Sequence, residues 1–152
     1  MSGYRIVARP EHIVYLYDGS IAGFYCCVHA SVYAGELPMS ILPDGSAQPT
    51  LFPTKWIQTD KQKALRVRGA IEQKISPRAL ELIETVFLTC LREKERHMLR
   101  FVLLGFERGK QAPYLLGHAE VAPLLRAEKH LYGECQLLLG FVRFTDYGEM
   151  LV

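Results

Sequence analysis

The sequence predicts an α+β domain in which a small, mainly antiparallel sheet packs against a multi-helix layer. Runs rich in β-branched and aromatic residues stand at 12–17, 55–58 and 141–144, and stretches with apolar residues at helical spacing lie between them. The order strand, helix, strand, several helices, hairpin departs from the regular alternation of a doubly wound sheet, and no internal repeat interrupts it.

Taken in order, His12-Ile13-Val14-Tyr15-Leu16-Tyr17 reads as a strand that stops at the turn Asp18-Gly19-Ser20, whose serine can cap a helix. From Ile21, the positions Phe24, Tyr25, Val28 and Val32 repeat at helical spacing, and Gly35 stands where a C-terminal cap would. Residues 36–54 contain Pro38, Pro43, Pro49 and Pro53 with Asp44-Gly45-Ser46, which predicts a long Pro-rich loop. Lys55-Trp56-Ile57-Gln58 is a second short strand, and Thr59 or Asp60 caps a helix running to about Ile75.

Ser76-Pro77 starts another helix, with Leu80, Ile83, Phe87, Cys90 and Leu91 facing the core and a break near Arg92. A central helix from Arg96 to Glu107 is apolar nearly all round and ends at Gly109. After a connector bracketed by Pro113 and Gly117, apolar residues from Val121 to Leu139 mark a long helix closed by Gly140. Phe141-Val142-Arg143-Phe144 and Met150-Leu151-Val152 then form a hairpin around Asp146-Tyr147-Gly148.

At 152 residues, 49% hydrophobic and 22% charged, the chain is expected to form a single domain over 1–152. A chain of this size buries about 70% of its unfolded surface, enough for a core without staples. The formal charge of +2, from 18 Lys plus Arg against 16 Asp plus Glu, is too even to draw a polyanion by itself, so a local basic patch must carry any such case. Met1 to Arg5, followed by Arg9, Glu11 and His12, lacks the layout of a secretory signal. The apolar runs 101–105 and 137–142 fall far below the roughly 20 residues that span a bilayer. Cys26, Cys27, Cys90 and Cys135 show no C-x-x-C spacing and read as reduced, mostly buried thiols. Together these features predict a soluble, cytoplasmic protein with no membrane partner.

Sequence motifs for phosphate loops, dinucleotide binding, zinc proteases and nucleophile elbows are absent, so no catalytic residue, cofactor or metal is predicted. His12, His29, His97, His118 and His130 are scattered, and His29 reads as a partly buried boundary residue. On the helix after Asp60, Ala64, Val67, Ile71 and Ile75 make an apolar stripe, with Lys63, Arg66 and Lys74 on one flank and Lys61 and Arg68 on the other. With Lys110 and Arg126 these are candidate phosphate contacts, or else cations snorkelling along an apolar edge. Glu134 and Arg143, in otherwise apolar stretches, either pair to offset desolvation or line a polar pocket together with Asp18.

The combined order of Tyr15-Leu16-Tyr17-Asp18-Gly19-Ser20 with Gly23-Phe24, the Lys61 to Ile75 helix, the Phe101 to Phe106 run, and Glu134 through Gly140-Phe141-Val142-Arg143-Phe144 resembles a bacterial family known as "probable DNA metabolism protein". The resemblance covers about residues 12–152. Such domains occur alone or fused to a uracil-DNA glycosylase-like domain and are encoded beside a putative DNA-modifying radical-SAM protein. The resemblance implies an accessory module in DNA metabolism or repair that acts with a glycosylase-like or radical-SAM partner and contacts nucleic acid without chemistry of its own. An enzyme acting on a nucleotide or damaged base through Asp18, Glu134 and Arg143 is the alternative, and a pure protein-interaction domain with an exposed apolar patch is the third. Relatives carry an Arg-Glu-x-His-Arg pattern where this chain has Gly133-Glu134-Cys135-Gln136-Leu137, which removes two phosphate or base contacts. They also run past the final strand with an acidic, histidine-containing segment, so the chain reads as C-terminally truncated relative to them.

Overall fold

A strand that turns directly into a helix sets the direction of everything after it. The computed structural model describes residues 9–10, 12–45, 52–89, 91–114 and 120–131. A two-residue strand β1 (Arg9–Pro10) precedes β2 (Val14–Tyr17). Gly19 then takes a φ of 88°, open to glycine at little cost, and the Ser20 hydroxyl accepts the Gly23 N–H to cap α1 (Ile21–Ala34). Its 14 residues span about 21 Å and carry the chain back along the sheet. Gly35, at φ 66°, closes the helix by donating its N–H to the Ser31 carbonyl.

The next strands therefore start from the same end as β2, and the sheet is parallel rather than antiparallel. β3 (Glu36–Leu37) pairs with β1, while β4 (Ser40–Pro43) and β5 (Thr54–Trp56) flank β2, giving the order β4-β2-β5. Val14 stands opposite both Ser40 and Thr54. The expected hairpin at 141–152 lies outside the described residues. Residues 36–54 are likewise not simply a loop, because β3 and β4 fall within them. Pro38 lies between the two strands, Pro43 is the last residue of an edge strand, and the Pro53 carbonyl accepts the Val14 N–H at 2.9 Å, so none of these prolines is asked to donate within the sheet.

β2 is buried on both faces, as a central parallel strand must be, with Tyr15 and Tyr17 in the core. Burial of a phenol demands a partner. Tyr15 donates to Glu36 at 2.5 Å, Tyr17 to the buried Glu95 at 2.6 Å, and Tyr25 of α1 to Glu84 at 3.0 Å.

Asp60 caps α2 (Lys61–Ala70) by accepting the N–H groups of Gln62 and Lys63. The helix passes into a π-turn at Ile71–Ile75, so the expected regular α-helix stops five residues short of Ile75. Pro77 disfavours helical geometry at Ser76, whose φ is −177°, and the Ser76 N–H reaches the Ile71 carbonyl across the widened turn. Ser76 then caps α3 (Pro77–Phe87) through the Ala79 N–H. Lys94 donates to the Phe87 carbonyl at 2.6 Å, tying the end of α3 to the start of α4 (Lys94–Arg108), two residues earlier than expected.

α4 ends at Gly109 and is followed by a 3-10 turn (Gly109–Tyr114) and by α5, spanning 122–131. The predicted continuation of α5 to Leu139 lies outside the described residues. Arg78 of α3 holds α5 through two bonds of 2.6 Å to the buried Glu128, which offset the cost of desolvating that carboxylate. Cys26 and Cys27 are buried free thiols, and Cys90 and Cys135 lie outside the described residues. Among the described residues no helix is long and apolar enough to cross a membrane.

α4 crosses the π-turn where Gly105 meets Ile75. A Cβ at Gly105 would stand 2.3 Å from Ile75 Cδ1 and 2.8 Å from its Cγ1, and Ile75 is fully buried. Gly105→Ala gains about 1 kcal/mol of helix propensity, but overpacking costs about 1–3 kcal/mol. The expected net result is a lowered Tm in thermal unfolding, recovered in part by adding Ile75→Val; an unchanged or raised Tm would contradict this packing.

Burial, followed by the bonded carboxylates of Glu36, Glu95 and Glu84, pushes the phenols of Tyr15, Tyr17 and Tyr25 well above their ordinary value. The folded state thus holds these protons more tightly than the unfolded state. Their contribution to stability is complete below about pH 10 and declines as pH rises toward the folded-state values. In an alkaline titration their phenolate absorbance should rise together with loss of the far-ultraviolet helix signal, not before it.

Candidate functional site

α1 has a second face beside its core stripe. Cys26, His29, Ala30 and Tyr33 follow one another at i, i+3, i+4 and i+7, which brings them to one side of the helix. The start of α2 is clasped to this side: the Cys26 thiol donates to the Asp60 carbonyl at 3.3 Å, and the Asp60 N–H donates back to the sulfur at 3.2 Å. β5 supplies the opposite wall.

The result is a cleft of about 410 Å³ lined by His29, Tyr33, Lys55, Trp56, Gln58 and Lys63, among others. A second cleft of about 280 Å³ shares His29 and Tyr33 and adds Arg66, Val67, Lys74 and Phe106. Among the described residues, neither lining includes an aspartate or glutamate. Tyr33 is 76% exposed, and its ring stacks on His29 with centroids 4.2 Å apart and planes inclined by 30°. Trp56 is 48% exposed and donates its indole N–H to Gln58 Oε1 at 3.3 Å. Lys55 lies 3.5 Å from Glu36.

The field here is positive. Partial burial lowers the affinity of His29 for its proton, the nearby Lys63 and Arg66 lower it further, and Asp60 opposes them. Among the described residues neither Lys63 nor Arg66 forms an ion pair.

The predicted phosphate contacts thus divide. Lys63, Arg66 and Lys74 face the two clefts. Arg68, on the other flank of α2, pairs with Glu84 at 3.0 Å, the same carboxylate that accepts from Tyr25. Lys61 is exposed and lines neither cleft, Lys110 is exposed on the 3-10 turn, and Arg126 lines a separate cleft with Leu88, Leu91 and Pro123.

The proposed grouping of Asp18 with Glu134 and Arg143 is not assembled among the described residues, because Glu134 and Arg143 lie outside them. Asp18 itself acts as a strut. One carboxylate oxygen accepts the Ser20 hydroxyl at 2.6 Å and the Ser20 N–H at 2.9 Å, and the other accepts the Thr59 hydroxyl at 2.7 Å. These bonds, the Ser20 hydroxyl foremost, hold its carboxyl below the usual range. Gly23 allows the close approach, since a Cβ there would lie 2.3 Å from Asp18 Oδ1.

Tyr33, Trp56 and Lys55 were not singled out as site residues from sequence. The spacing of Cys26, His29, Ala30 and Tyr33 was the available signal, masked by the stronger apolar stripe one position away. Among the described residues no three His, Cys, Asp or Glu side chains converge as a metal site requires. Comparison with protein-family models, curated proteins and solved structures finds no match. On geometry alone, the site is a basic surface with aromatic walls on a small parallel-sheet α+β domain.

If Lys63 and Arg66 set the field at His29, Lys63→Met and Arg66→Met should each raise the His29 pKa toward the ordinary value of about 6.5. Histidine ring-proton shifts followed by NMR across pH provide the measurement. A His29 midpoint indifferent to both substitutions would show that the cations do not converge on it.

Proposed function

We propose that the chain is a cytoplasmic accessory module in DNA metabolism or repair that contacts nucleic acid through Lys63 and Arg66 of α2 and Lys74 of the adjoining π-turn, without chemistry of its own. The supporting observation is that these cations gather along two adjoining clefts whose described linings contain no carboxylate. Phosphate contacts need positioned cations rather than a catalytic motif, and a local patch suffices even when net charge is only +2. The setting in DNA metabolism, with a glycosylase-like or radical-SAM partner, rests on the order of sequence motifs from Asp18-Gly19-Ser20 to Phe144.

Fluorescence anisotropy with labelled single- and double-stranded oligonucleotides across a salt series tests the reading. Binding should weaken steeply with salt, and Lys63→Ala or Arg66→Ala should each reduce the magnitude of the log–log salt slope by about one. Absence of binding at low salt, with no glycosylase-like or radical-SAM protein co-purifying, would overturn it.

A further inference from the structure

We infer that the nucleic acid received here is single-stranded, with unpaired bases stacking on Tyr33 and Trp56 while the phosphates follow Lys63, Arg66 and Lys74. This rests on the nucleic-acid reading above and adds which form of strand the surface takes.

An isolated exposed aromatic residue is ordinary on a protein surface. Here two of the large exposed apolar side chains, Tyr33 and Trp56, line one cleft together with Lys55 and Lys63. The Tyr33 ring is braced by His29 at 4.2 Å, which covers one face and leaves the side chain 76% exposed. The indole of Trp56 is oriented by its bond to Gln58. Preset rings lose little rotamer freedom when a ligand stacks on them.

Aromatic platforms beside a cationic track are what sequence-tolerant single-strand binding requires, because every base offers a π-face and every nucleotide a phosphate. A duplex offers the phosphates alone, since its base faces are already stacked on one another. The cleft of about 410 Å³ falls within the common range of roughly 300–1,000 Å³ for small-ligand sites. Acidic groups near this surface are already engaged: Asp60 caps α2, and Glu36 accepts from Tyr15 and neighbours Lys55. A strand laid along the clefts thus meets cations and rings.

Trp56 is the only tryptophan in the chain, so its intrinsic fluorescence reports on this cleft directly. The test compares a labelled single strand, the matched duplex and an abasic strand with the same phosphates, using the full chain and the variants Tyr33→Ala, Trp56→Ala and Lys63→Ala. Both rings are exposed, so their removal should leave the Tm nearly unchanged. The single strand should bind at least about tenfold tighter than the duplex or abasic strand and quench Trp56, and each aromatic truncation should weaken it about fivefold or more at unchanged salt slope. Lys63→Ala should instead lower the slope. Equal binding of all three probes with unmoved Trp56 fluorescence would overturn the inference and leave the broader reading standing, whereas binding of none would overturn both the inference and the nucleic-acid contact on which it rests.

Discussion

A short polar seam between the first strand–helix turn and the start of α2 positions the rest of this molecule. Asp18 reaches across to Thr59, and the Cys26 sulfur exchanges two hydrogen bonds with the Asp60 main chain. Bonds to a carboxylate are stronger than neutral ones, and the seam joins segments about forty residues apart in the chain. The seam fixes the start of α2 against α1, while the buried Ala64, Val67, Ile71 and Ile75 pack the rest of that segment into the core and leave Lys63 and Arg66 exposed. Gly23 belongs to the seam, because any side chain there would occupy the space of the Asp18 carboxylate.

The core is organised around buried polar groups as well as apolar packing. Tyr17 bonds to Glu95 across the sheet–helix boundary, and Arg78 grips Glu128 through both of its terminal nitrogens. A buried carboxylate deprived of its donor is far costlier than a lost surface ion pair. These pairs therefore specify which helix lies against which element more than they add net stability. The contrast with the exposed Arg68 and the half-buried Glu84 is one of solvent screening.

Ion pairing, not burial, divides the cations of α2, all of which are exposed. Arg68 is drawn to Glu84 and becomes part of the scaffold. Lys63 and Arg66 face the His29 and Tyr33 side of α1, where they add to the effect of burial in making His29 harder to protonate. A surface that concentrates positive charge beside ordered aromatic rings, on a chain of nearly balanced overall charge, separates attraction from solubility. That division is the physical basis of the function proposed above.

Much of the local structure was legible in the residues alone. Ser20, Gly35, Asp60, Ser76-Pro77 and Gly109 mark helix ends because a cap is made by hydrogen bonds among near neighbours, which adjacent residues determine. The flank of α2 that carries Lys63 and Arg66 followed from helical geometry for the same reason, whereas Lys74 falls in the π-turn, where the regular helical advance is interrupted. The direction of the sheet did not follow, because it depends on where α1 lays the chain down, and the Pro-rich stretch concealed β4, which needs β2 as a partner to be a strand at all. Nor could residue order show that Tyr33 and Trp56 share a cleft, that Arg68 would be claimed by Glu84, or that Asp18 would serve as a strut. Those outcomes arise from contacts between distant segments, and only the packed tertiary structure decides them.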